Sequence, residues 1–344
     1  MVTFSDPKSL YKNSGVDVAK GDELVGWLGK GLASEKEGSG SLNDFSASYE
    51  PDFSHYKRPL LISSTDGVGT KLLLALEQNK LENLGYDLVG MCVNDLYTSG
   101  AKALFFLDYY ATSKLDSDQF KLVLGSIRRA LAEAECKLLG GETAELPGLY
   151  HKNHFDLAGF VVGVVDKERR MSPQKTKASD LLYALPSNGF HSNGYSLLRR
   201  FLKDKPELQT ESLLDHLLAG TKIYSKVPKL FNLLGPEVCH SASHITGGGV
   251  SGNLKRMIPD NLTAQISFEA LKTPLWMKDF LGNFSSEIQS FESVFNMGCG
   301  MIISISPDSK NIFEEKSKEL NMEAFLIGEV AQRKASSDLP VVYI

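Results

Sequence analysis

Between residues 166 and 179 the chain reads DKERRMSPQKTKAS, a run of charge with a proline that interrupts the apolar patterning on both sides. A break of this kind divides 344 residues into two foldable parts, 1–170 and 171–344, each of ordinary domain size. The N-terminal part offers LLIS as a strand, TKLLLALEQNK as a helix, and YDLVGMCVNDLYTSG as a helix closed by Gly100. ALFFLDYYAT reads as a buried strand. In DSDQFKLVLGSIRRALAEAEC, Phe120, Leu124, Ile127, Leu131 and Ala134 recur at three- and four-residue steps, with Asp116 or Asp118 placed as the cap. KLLGG and FDLAGFVVGVV follow as strands.

Past the break, DLLYALP, LTAQIS, MIISIS, AFLIGEV and PVVYI read as strands. Helices are expected at GYSLLRRFLK and around 224–234 and 311–320. Strands and helices mix without a strict βαβ rhythm, which predicts α+β in both halves. Residues 35–54 are rich in Gly, Ser and acid and read as a mobile loop.

Net charge is −5, with no block of like charges, which argues against a nucleic-acid binder but leaves room for a local anion site. Four scattered cysteines without a C-x-x-C pair argue against zinc and disulfides and fit a reducing cytoplasm. No apolar run reaches the length of a membrane span, and the N-terminus lacks a signal-peptide pattern.

Polar chemistry concentrates in glycine clusters. SSTDGVGTKL (63–72) joins a strand to a helix, yet Gly67 and Gly69 are too close together for a P-loop and Thr70 precedes Lys71. It either turns the chain or faces a phosphate or metal. GGET, SNGFHSNG, HITGGG and NMGCG repeat the theme, and glycines allow backbone N–H groups to approach a ligand closely. Asp66, Asp95, Asp108, Glu142 and Glu145 lie in or beside candidate elements, where carboxylates can converge on Mg²⁺. Asp95 sits on an otherwise apolar helix, where an exposed side is the simpler reading. Asp108, inside an aromatic strand, needs a partner. His191 and His244 flank glycine turns, and either is read as a ligand contact or as a structural residue. No G-x-S-x-G elbow supports nucleophilic catalysis.

Taken in order, YKNSGVD, SSTDGVGTK, MCVNDL, FFLDYYAT, GGETAELPG, DLAGFVVGVV, HSNGYSL, HITGGG and FNMGCGM resemble the aminoimidazole ribonucleotide synthetases (phosphoribosylformylglycinamidine cyclo-ligases) of purine biosynthesis. The resemblance covers nearly the whole chain. It implies ATP-dependent closure of formylglycinamidine ribonucleotide to aminoimidazole ribonucleotide, with ADP and phosphate released. It also implies a homodimer whose N-terminal sheets join into a barrel, followed by a C-terminal α/β sandwich domain.

On that resemblance Asp66, Asp95 and Glu142 hold Mg²⁺ and ATP, with Gly67, Gly69, Thr70 and Asp108 in the nucleotide site and a monovalent cation as an optional companion. Lys71 stands near phosphate charge and acts in catalysis with His191; Asn193, Thr246, Gly247, Gly248 and Gly249 take the substrate. The chain departs from the family pattern in four places. It has GSG for a GGFG-like loop, Ala103 for Pro, Gly252 where an acid stands after the triple glycine, and no arginine in Ser290–Val294. These departures keep two other readings open: a sibling kinase or synthetase with another acceptor, and a non-catalytic ATP-binding dimer.

Overall fold

The computed structural model describes residues 46–335 and 339–344, with Lys20, Gly21, Glu23, Leu24 and Gly26. Residues 11–17, the GSG at 38–40 and the first part of the Gly/Ser-rich segment lie outside the described residues. The rest of that segment rests against the first sheet, with the Tyr49 ring 5.2 Å from Phe105.

The N-terminal half contains β1 (Pro59–Gly67), α1 (Lys71–Glu77), α2 (Leu84–Tyr97), β2 (Lys102–Thr112), α3 (Ser117–Glu133), β3 (Lys137–Glu145) and β4 (Phe155–Asp166). Its sheet has the order β1-β4-β2-β3. Only β2 and β3 are parallel, and α3 is the crossover between them. Asp116 caps α3, accepting from the N–H groups of Asp118 and Gln119.

Helix α2 buries Leu88, Val89, Cys92, Val93 and Leu96 on one face of the sheet. The opposite face is open: Leu61 (57%), Phe160 (39%) and Tyr109 (39%) all meet solvent. Phe160 pairs with Thr65 on one side and Leu107 on the other, so this apolar row crosses three strands.

The C-terminal half runs β5 (Leu181–Pro186), α4 (Tyr195–Asp204), α5 (Glu211–Leu217), α6 (Lys226–Leu234), β6 (Cys239–His244), α7 (Gly249–Leu254), β7 (Leu262–Ile266), α8 (Leu275–Gly282), β8 (Cys299–Ile305), α9 (Lys310–Glu319), β9 (Phe325–Gln332) and β10 (Val341–Tyr343). Its six strands follow the order β10-β7-β9-β5-β8-β6, antiparallel except for β10 with β7. β8, CGMIISI, is buried along its whole length, as a continuous apolar run in an inner strand should be. The architecture is α+β in two domains. No helix among the described residues is long and apolar enough to cross a membrane.

A buried ion pair joins the halves. Lys71, first residue of α1, has no exposure and places its ammonium 2.8 Å from Asp87 of α2, 2.9 Å from the His191 carbonyl and 2.6 Å from the Ala219 carbonyl. Asp87 Oδ1 also accepts from Thr221 N and Thr221 Oγ1. Burial pushes the Lys71 ammonium below and the Asp87 carboxyl above their ordinary values; their mutual attraction opposes this in both, and the Thr221 donors oppose it in Asp87. Lys71→Met strands the Asp87 charge and is expected to lower unfolding free energy in urea by about 3–5 kcal/mol. Asp87→Asn, which keeps an acceptor for Thr221, should cost less. A loss below ~1 kcal/mol for Lys71→Met, the size of a surface pair, would show that the joint lies elsewhere.

Candidate functional site

The DGVGT turn ends β1 and delivers Asp66 half-buried at the edge of a cleft between the halves. Its Oδ1 accepts from its neighbour's Gly67 N–H at 2.7 Å. Burial pushes the Asp66 carboxyl above its ordinary value; the Gly67 N–H opposes this, nearby Asp95 adds to it, and His244 opposes it. Asp66, Asp95 and His244 therefore share one electrostatic neighbourhood.

Asp95 comes from the last turn of α2, and its side chain is 41% exposed. Its Oδ1 lies 2.9 Å from Nδ1 of His244, the buried last residue of β6. A carboxylate partner assigns the proton to Nδ1 and leaves Nε2 as acceptor, 3.5 Å from Asn94 Nδ2. Asn94 also bonds the Lys222 carbonyl and the Tyr224 N–H, so the end of α2 is tied to the C-terminal half.

The triple-glycine loop follows directly. Asn253 of α7 donates from Nδ2 to the carbonyls of Thr246, Gly247 and Gly249, and Thr246 Oγ1 donates back to Asn253 Oδ1. Gly249 has φ +63, and a Cβ there would stand 1.9 Å from the Glu292 carbonyl, so only glycine fits. Glu292 accepts from Ser251 N and Oγ and from the Tyr343 hydroxyl. The carboxylate at the start of α7 thus arrives from residue 292, not from position 252, and it meets the positive end of the helix dipole. Asn193 faces this loop, its Oδ1 3.3 Å from where a Gly247 side chain would begin.

His191 is buried with φ +58, its ring 6.4 Å from that of His244. Nε2 accepts from Asn188 N, so Nδ1 carries the proton, and Nδ1 has no partner among the described residues. Burial, reinforced by His244, Lys71 and Lys222, holds the ring neutral. Thr70 Oγ1 and Ser196 Oγ lie 3.0 Å apart on the cleft side, beside exposed Gly69.

The expected residues do not all converge. Lys71 turns inward to Asp87, and its ammonium is enclosed by protein acceptors instead of standing beside a phosphate. Glu142 lies on β3, at the opposite edge of the sheet from Asp66, about 14 Å away at the usual strand spacing. Paired with exposed Tyr109, it points to the open face. Among the described residues no three His, Cys, Asp or Glu are grouped to hold one ion.

Asp108 shares a row with Asp66, with Gly159 between them, and Gly141 leaves room for its carboxylate: a Cβ at 141 would lie 2.3 Å from Asp108 Oδ1. Asp87, Asn253 and Glu292 were not singled out as site residues from the sequence, and His244 was left open there between a ligand contact and a structural residue. For Asn253 the signal was its fixed place after HITGGG.

Two α+β domains that meet along a cleft of glycine turns, a carboxylate pair and a histidine define a class of two-domain proteins with a polar inter-domain site. The family follows from two matches: AIR synthase related protein, N-terminal domain, over residues 55–165, and AIR synthase related protein, C-terminal domain, over residues 177–338. The chain belongs to the AIR synthase related proteins.

Its fold is similar to that of a thiamine-monophosphate kinase from Stenotrophomonas maltophilia K279a (TM-score 0.66, 15% identity, 91% of this chain and 93% of that one). It is also similar to the hydrogenase maturation protein HypE in complex with ATP (TM-score 0.67, 14% identity, 91% and 88%). AaThiL, complexed with AMPPCP and TMP, matches at TM-score 0.57 and 16% identity over 93% and 92%.

Asp108 generates a pH prediction. Burial raises its carboxyl from an ordinary 3.8 to about 7. A raised folded value means the group contributes fully below pH ~4 and that this contribution is lost as pH rises through about 7, a span of about 4 kcal/mol. In the ligand-free protein, denaturant stability should fall between pH 4 and 8, and Asp108→Asn should flatten that fall. Identical profiles for the two proteins would place the titrating group elsewhere.

Proposed function

We propose that the chain is an ATP-dependent cyclo-ligase that closes formylglycinamidine ribonucleotide to aminoimidazole ribonucleotide, with release of ADP and phosphate. The observation that carries this reading is the meeting of Asp66, Asp95 and His244 with the HSNG and HITGGG turns in one inter-domain cleft.

Two carboxylates close enough for Asp95 to push the Asp66 carboxyl upward suit a hard cation such as Mg²⁺, and Asp66 and Asp95 would hold it. When bound, Mg-ATP supplies the phosphoryl group that turns the formyl oxygen into a leaving group. His244 keeps Asp95 oriented through Nδ1. The loop clamped by Asn253 and the amide of Asn193 form the substrate wall, and the unpartnered Nδ1–H of His191 is a donor held neutral for it. Lys71 serves by fixing the turn and not by touching phosphate. The open sheet face receives the same face of a second copy, making the barrel; Glu142, on that face, then belongs to the assembled dimer.

A second reading, a kinase acting on another phosphate ester, is favoured by Gly252 and by the lack of arginine in Ser290–Val294. The likeness to a thiamine-monophosphate kinase points the same way. Phosphate release from Mg-ATP decides between them. The first reading expects release to depend on formylglycinamidine ribonucleotide, with Asp66→Asn lowering turnover at least about tenfold, or ~1.4 kcal/mol. ADP formed in step with thiamine monophosphate but without phosphate release, because the phosphoryl group passes to that acceptor, supports the second reading, and ATP binding without turnover refutes both. For the assembly, light scattering should show a dimer that Phe160→Glu converts to monomer. A wild-type monomer, or a dimer indifferent to Phe160→Glu, would remove the shared barrel.

A further inference from the structure

At the end of the N-terminal sheet remote from Asp66, where β2 begins and β4 ends, lies a cavity of about 570 Å³. That volume is within the range of small-molecule sites. One side is formed by the strands and the end of α2, another by α6 of the C-terminal half, and a third by residues 49–56. The floor is apolar, with buried Tyr97 and Phe231. Tyr49 and Tyr56 form an aromatic wall, close enough to act on each other electrostatically. The Tyr49 ring also lies 5.2 Å from that of Phe105 and 5.9 Å from the Lys137 ammonium.

Formal charge around this cavity is balanced, with Asp52, Glu135 and Asp166 against Lys102, Arg169 and Lys229, but hydrogen bonding is not. Its acids are already engaged: Asp166 accepts the N–H groups of Lys57, Arg58 and Glu168, Asp52 accepts that of Ser54, and Glu135 pairs with Lys229. Lys102 has no ion pair among the described residues, and Arg169 meets only the neutral carbonyls of Phe231 and Asn232. Two cations with no direct ion-pair partner among the described residues therefore stand at the rim of this aromatic-walled slot.

We propose that this cavity is a second ligand site, for a planar heteroaromatic ring bearing one anionic group and of mononucleotide size. The ring lies along Tyr56 over the apolar floor, and the anion meets Lys102 and Arg169. Helix α2 carries Asp95 in the cleft and Tyr97 in this cavity, while Phe231 belongs to α6 across the domain joint. A ligand here touches both halves, so its occupancy bears on the geometry of the cleft.

Calorimetric titration with adenosine 5′-monophosphate tests the site without any turnover, so the outcome is separable from that of the cyclo-ligase reading. Wild type should bind the nucleotide, with adenosine and ribose 5-phosphate each at least about tenfold weaker. Lys102→Glu and Tyr56→Ala should each weaken binding by about tenfold or more, whereas Asp66→Asn should leave it unchanged. Thermal unfolding followed in parallel confirms that the variants are folded; Lys102 is exposed, so its variant carries the test if Tyr56→Ala is unstable. The proposal is overturned by absence of binding at millimolar nucleotide, by indifference to Lys102→Glu, or by loss of binding in Asp66→Asn.

Discussion

The ammonium of Lys71, wholly removed from water, must find all its hydrogen-bond acceptors within the protein, and it finds them on both sides of the domain joint. Asp87 brings α2, the His191 carbonyl brings the HSNG turn, and Ala219 brings the segment before α6. An isolated charge at such a depth is untenable, so each contact holds the others in place. The same helix is braced again at its far end, where Asn94 and Asp95 meet Lys222, Tyr224 and His244. Eight residues of α2 separate Asp87 from Asp95, about 12 Å of rise. A helix pinned at both ends to the neighbouring domain transmits position along its length, and the cleft carboxylate depends on that rigidity.

The carboxylates of the N-terminal sheet are sorted by strand order. Asp66 and Asp108 share the helix-covered face with a glycine between them, while Glu142 emerges on the other face at the far edge. Acids adjacent in a motif list are therefore divided between an inter-domain cleft and an open sheet. The open sheet carries Leu61, Phe160 and Tyr109 where a monomer would be expected to carry polar side chains, and an apolar row of this extent is a surface awaiting a cover.

Much of the fold was legible because its elements obey strong periodicities. The helix at 117–133 shows its three- and four-residue steps and its Asp116 cap, and β8 its unbroken apolar run. β6 was missed: CHSASH has neither alternation nor an apolar run, and it is a strand because β8 pairs with it. The short helices α5, α7 and α8 were missed for want of length over which a period could show. In the candidate site, the glycine turns and the place of Asp66 at the end of β1 were legible from the local strand-turn-helix pattern. The direction of Lys71 was not, since one residue at the start of a helix faces a phosphate or a core depending on what packs behind it. Nor was the separation of Glu142, because strand order is a tertiary property.

Peptide planarity gives the Asn253 clamp a further meaning. One amide gathers the carbonyls of Thr246, Gly247 and Gly249, so the peptide units that follow them must turn their N–H bonds to the opposite side. The hydrogens of Gly247, Gly248 and Val250 therefore point away from Asn253. The loop becomes a two-sided ribbon, with these acceptors consumed inside the protein and the donors of exposed Gly247 and Gly248 on the other side. A surface polarised in this way distinguishes oxyanions from ammonium groups before any charged side chain takes part.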